Sequence, residues 1–125
     1  MLGLVLLAVL SRPAAGRAQE FRENVPHPCQ DYWMLRRAEI LECLRSDLAR
    51  ADAELNRAYR DRMAALAPAR RTALREAQRA WLRRYDATLT AYYSRPWANH
   101  SRIRVLPSQI LALRDRAAWI RRYPG

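Results

Sequence analysis

The chain has 125 residues, enough for one domain that can bury a modest core without help from a metal or cofactor. Its charge is lopsided: 23 basic residues face 12 acidic ones, and every basic residue is arginine. Three glycines leave no Gly-rich phosphate loop, and the two histidines, His27 and His100, belong to no triad or metal spacing, so the composition argues against an enzyme and names no cofactor.

Residues 1–18 read as a signal peptide. Leu2 to Leu10 is an apolar run too short to span a bilayer, which takes about 20 residues, and Gly16-Arg17-Ala18 offers a cleavage site before Gln19. No cysteine follows the run to carry a lipid. The remaining 19–125 form the single domain, and losing Arg12 and Arg17 leaves it strongly basic. From Gln19 to Pro28 the chain is polar, and Pro26 and Pro28 disfavour helix there.

Cys29 and Cys43 come next. On one straight helix their Cα atoms would stand about 21 Å apart, whereas a disulfide needs them within about 7 Å. An exported chain with an even cysteine count favours the bond, so the backbone is expected to turn back between them, near Arg36-Arg37. A zinc site built on Cys29 and His27 lacks any further ligand pair. The carboxylates of Glu39 and Glu42 lie near each other on a helix surface, where nothing raises either toward acid-base work.

Two long helices follow. The first is expected from about Ala38 to Leu66, where Leu41, Leu44, Leu48, Leu55, Tyr59, Met63 and Leu66 recur at helical spacing. The second runs from about Ala69 to Tyr93 with Leu74, Trp81, Tyr85 and Leu89 as the matching stripe, and Pro68 suits its first turn. The pair should fold into an antiparallel hairpin at Ala67-Pro68. Asp52, Asn56 and Tyr59 share the first helix's face and Gln78 lies between Leu74 and Trp81 on the second. Asn56 and Gln78 placed there would need hydrogen-bond partners, which predicts a polar clamp across the hairpin. After Ser94-Arg95-Pro96 a loop from Trp97 to Leu106 leads to a third, shorter helix, from Pro107 or Ser108 to about Arg122. Its face of Ile110, Leu113, Ala117 and Ile120 would close the hairpin's open side. The expected architecture is therefore all-α: a long helical hairpin, a shorter C-terminal helix and one N-terminal disulfide.

Two strings stand out, ADAELNRAY at 51–59 and LREAQRAW at 74–81. With Cys43 ahead of them and Asp86 behind, the chain resembles the LprI-type lysozyme-inhibitor domain of small exported bacterial proteins. The matching residues are Ala51, Asp52, Glu54, Leu55, Asn56 and Tyr59, then Leu74, Ala77, Gln78, Ala80, Trp81 and Asp86, within roughly residues 29–90. The family's aromatic-Arg-Asp run appears here as Arg84-Tyr85-Asp86, with the first two exchanged. A second cysteine pair common in the family is absent, with Leu89 and about Ser108 in its place. The resemblance implies a periplasmic or secreted, non-enzymatic protein-binding module acting on a lysozyme-like glycosidase.

Three surfaces are candidates for partner binding. Arg71, Arg75, Arg79 and Arg83 stand at i, i+4 steps along the second helix, where like charges cost a few tenths of a kcal/mol each; the stripe is either a solvated face or a track for an anionic polymer. The loop after Ser94 presents Trp97 between Arg95 and Arg102, an aromatic anchor with cations beside it. The set Asp52, Asn56, Tyr59, Gln78, Trp81 and Asp86 reads first as structural, because it lies on packing faces. Two function classes result: a protein-binding module, and an electrostatic binder of anionic envelope polymers or nucleic acid.

Overall fold

Pro68 sets the main corner of the fold. The residue before a proline is pushed out of the helical region, and Ala67 is extended, with ψ 156°. Leu66 is extended as well, with ψ 148°. The first helix, α1 (Arg37–Ala65), stops there, and the second, α2 (Pro68–Tyr93), starts with the proline, whose missing N–H is no loss in a first turn. Both lie within a residue or so of the expected bounds. The computed structural model describes residues 25–30, 36–95 and 102–125; among these are a 3-10 turn at Pro28–Gln30, three α-helices and no strand.

The third helix, α3 (Arg102–Arg121), begins more than a turn earlier than expected and carries Pro107 inside it. Proline has no N–H for the carbonyl four residues back, so the carbonyl of Ile103 lacks its helical donor. Gln30, from the N-terminal arm, supplies one: its Nε2 donates to Ile103 O at 3.0 Å. A defect local to α3 is thus repaired by a side chain 73 residues away, a compensation that no reading of the helix's own sequence contains.

Cross-helix pairs define the directions. Gln78 of α2 meets Arg116 of α3, while Arg114 reaches back to Asp47 and Glu54 of α1, and Arg62 of α1 binds the carbonyl of Tyr123 just past α3. Helix α2 therefore returns antiparallel to α1, and α3 runs parallel to α1. The closest backbone approach is between α1 and α3. Its cause is residue size, since the spacing of packed axes follows the side chains between them: Ala51 and Ala58 of α1 and Ala117 of α3 are buried. Helix α2 turns Leu74, Gln78, Trp81 and Tyr85 inward.

One core joins all three helices. Leu44, Ala51, Leu55, Ala58 and Leu66, Leu74, Trp81 and Tyr85, and Leu106, Ile110, Leu113, Ala117 and Ile120 form a single cluster with Cys29. Leu41, Leu48, Tyr59, Met63 and Leu89, expected on the inner stripes, are partly buried at its rim. The disulfide between Cys29 and Cys43 is formed, with Cα atoms 5.8 Å apart. It fixes the arm against α1, whose first residue follows an extended Arg36 with no side-chain cap.

Candidate functional site

Two polar junctions interrupt the apolar core. The first centres on Asp47, which sits on the inner face of α1 between Leu44 and Ala51 and is 7 % exposed. Arg114 grips it in a two-pronged pair, Nη2 to Oδ1 at 2.7 Å and Nη1 to Oδ2 at 2.9 Å. His27 Nε2 donates to Oδ2 at 2.7 Å, and Arg50 Nε to Oδ1 at 3.3 Å. The hydrogen bond from Arg114, helped by those from His27 and Arg50 and opposed by burial, holds the Asp47 carboxyl well below the usual carboxylate range. In return Asp47 raises the pKa of Arg114. The backbone N–H of Cys29 donates to His27 Nδ1 at 3.0 Å, so both nitrogens of that imidazole are engaged.

This junction floors a cleft of about 520 Å³ between the arm and the α1 and α3 helices, lined also by Val25, Pro26, the disulfide, Pro107, Ile110 and Leu111. Its size would suit a small ligand, but the chemistry inside is spoken for. Both oxygens of Asp47 are already bonded, to Arg114, Arg50 and His27, and both nitrogens of His27 are engaged, by Asp47 and the Cys29 N–H. Among the described residues no group of His, Cys, Asp and Glu could hold a metal ion.

The second junction is Arg116 on α3. Its Nε donates to Gln78 Oε1 at 2.9 Å, and its guanidinium lies 3.8 Å from the ring centre of Trp119 and 5.4 Å from that of Trp81. Burial, with the charge of Arg84 added, lowers Arg116 to about 10, so it stays a cation at neutral pH.

The sequence-derived polar clamp takes a different form. Asn56 is exposed and donates to Asp52 Oδ2 of its own helix at 3.4 Å, while Gln78 is buried and serves α3. No bond joins Asn56 to Gln78. The reason is azimuth: Asn56 follows the buried Leu55 by one residue, which turns it about 100° away from the core. Of the rest of that set, Trp81 is buried and stacks on Tyr85 at 5.0 Å, Tyr59 is half-buried, and Asp52 and Asp86 are exposed. Burial raises the hydroxyl pKa of Tyr85, offset in part by a hydrogen bond with Gln109.

Along α2, Arg71 is exposed but engaged, its Nε donating to Leu66 O at 2.8 Å and so capping the end of α1. Arg75, Arg79 and Arg83 are exposed and form no ion pair among the described residues. Arg95 is exposed beside Tyr92, with its Cζ 5.6 Å from the ring centre, and Arg102 is exposed at the first residue of α3. Trp97, the anchor expected between them, lies outside the described residues.

Sequence reasoning singles out none of Asp47, Arg114 and Arg116, and His27 only as a zinc ligand without partners. For two of them a signal existed. Asp47 stands three residues after Leu44 and four before Ala51, and Arg116 stands three after Leu113, so each is a charge written into an apolar stripe.

Residues 30–119 match the model of one protein family, described as lysozyme inhibitor LprI. No curated protein and no solved structure matches the chain. The family match runs from the last residue of the 3-10 turn to within two residues of the end of α3.

Proposed function

We infer that this chain, which belongs to the LprI lysozyme-inhibitor family, works outside the cytoplasm as a protein-binding module that inhibits a lysozyme-like glycosidase. The observation that carries the reading is the family match itself, because it spans all three helices rather than one motif. Export through residues 1–18 agrees with a bundle braced by a disulfide, a bond that persists in oxidising compartments. In this reading the helices are a scaffold and the contact is made by an exposed segment, the usual division of labour between a rigid core and a loop.

The segment proposed is the connection from α2 to α3, with Trp97 as anchor and Arg95 or Arg102 as the cation. A glycosidase cleft holds a pair of carboxylates, and an arginine entering it would make a charge-assisted, two-pronged bond. That local attraction has to outweigh a long-range cost. Without residues 1–18 the chain keeps 21 basic residues against 12 acidic, a formal +9, and a basic lysozyme would meet it against net repulsion, which slows association more than it weakens a formed complex.

A cell-wall lysis assay tests the reading directly. The folded mature protein should slow lysis, competitively with the glycan, and Trp97→Ala with Arg95→Gln should relieve the inhibition. Lysis unaffected by the wild-type protein would remove the function; inhibition undiminished in the variants would keep the function and discard this loop as its site.

A further inference from the structure

Among the described residues Arg116 is a cation held apart from any counter-charge. It is 9 % exposed, and among the described residues it makes no ion pair. Gln78 takes its Nε, but Nη2 is closed off from solvent and has no hydrogen-bond partner among the described residues. The charge of Arg84, of the same sign, acts on it as well. Leaving a charged donor buried and unsatisfied is unfavourable, and an uncompensated buried charge more so. The Asp47 junction shows the alternative within the same bundle, a buried charge bonded on every side.

The cover over Arg116 is a side chain that can move. Trp119 lies one turn further along α3, its ring centre 3.8 Å from the guanidinium, yet the residue is 39 % exposed. The Tyr123 ring packs against Trp119 with ring centres 5.3 Å apart, and the buried Trp81 ring lies 5.4 Å from the guanidinium. A change of Trp119 rotamer would bare the guanidinium without unwinding a helix. Opening gives up the stacking of Trp119 on a cation, and it returns a hydrogen-bonding neighbour to Nη2.

We propose that Arg116, uncovered by displacement of Trp119, receives an aspartate or glutamate side chain of the protein partner. The guanidinium fork fits a carboxylate better than any other common anion on a protein surface. An anion beside it would also relieve the repulsion from Arg84. A protein is favoured over a small free acid because the opening is rimmed by Trp119 and Tyr123, and Trp, Tyr and Arg are the residues that anchor interfaces. Arg102 lies fourteen residues earlier on α3, about 21 Å along the axis and close to the same azimuth, so one interface of ordinary size reaches both. Naming that partner as lysozyme rests on the family reading above; the carboxylate chemistry does not.

The experiment has two arms. In the first, acetate replaces chloride at constant ionic strength while the Arg116 Nε–H and Trp119 indole N–H resonances of isotope-labelled protein are followed. A saturable shift is expected at these two groups and at no exposed arginine. It should vanish in Arg116→Gln and saturate at several-fold lower acetate in Trp119→Ala, where the cover is gone. Shifts that fail to saturate, that are equal at all arginines, or that persist in Arg116→Gln overturn the site. If Arg116→Gln does not fold, Trp119→Ala decides, and an acetate response no stronger than wild type overturns it. In the second arm lysozyme binding is compared for wild type, Arg116→Gln and the exposed α1 control Arg60→Gln. At least a tenfold loss in the first variant, with under twofold in the control, is expected. Equal binding by wild type and Arg116→Gln overturns the docking role. No binding by wild type sinks the lysozyme reading and leaves the acetate arm to judge the site.

Discussion

Asp47 accepts hydrogen bonds from Arg114, His27 and Arg50, and those bonds give the folded protein a definite response to acid. Its folded-state pKa lies below the unfolded value of about 3.9, so the native state takes up a proton less readily than the unfolded chain. The stability it contributes is complete above the unfolded value and drains away as pH falls toward the folded one. Asp47→Asn should therefore cost roughly 3 kcal/mol at neutral pH, the low end for a broken buried pair because Arg114 is part-exposed, and should flatten acid unfolding below about pH 5. Denaturant titrations across pH for both proteins measure this. A second contrast separates two amides. Asn56→Ala, on the surface, should change stability by less than about 0.5 kcal/mol, whereas Gln78→Ala strips Arg116 of its Nε partner and should cost about 1–3 kcal/mol; thermal melts at neutral pH compare them. The inner stripes around these residues could be read from helical spacing. Which amide faces inward could not, because a step of one residue decides it and both lie beside apolar neighbours.

At the scale of the helix, the lengths and the corner of α1 and α2 were legible because Pro68 and two apolar stripes act locally. The start of α3 was not. Pro107 is a valid first-turn residue, and its place inside the helix depends on Gln30, remote in sequence but brought near by the disulfide and by the bond of His27 to Asp47. This dependence predicts coupling. Gln30→Ala should cost about 1 kcal/mol in the wild type and markedly less after Pro107→Ala, since alanine restores an N–H to Ile103 O from within α3. A double-mutant cycle by urea unfolding would read the difference, and additivity of the two changes would show that the amide is not repairing the helix.

For the molecule as a whole, charge is apportioned unevenly. On α1 the arginines are matched by Glu39, Glu42, Asp47, Asp52, Glu54 and Asp61, whereas α2 sets only Glu76 and Asp86 against Arg70, Arg71, Arg75, Arg79, Arg83 and Arg84. If the outer face of α2 is merely solvated, changing Arg75 and Arg79 to Gln should leave stability within about 0.5 kcal/mol and barely alter retention on heparin at physiological salt. A track for anionic polymers would instead lose about two units from the salt dependence of binding, alike for every polyanion. The tight α1–α3 seam has a consequence of another kind, in the order of events during folding. The bonds across it join residues 60, 61 and 67 apart, while the α1–α2 corner closes over a handful. Long closures form late because their entropy has to be spent before their contacts form. Docking of α3 should therefore be part of the rate-limiting step, and Leu113→Ala, which opens a hole in its buried face, should slow folding as well as speed unfolding, which stopped-flow folding and unfolding rates would read.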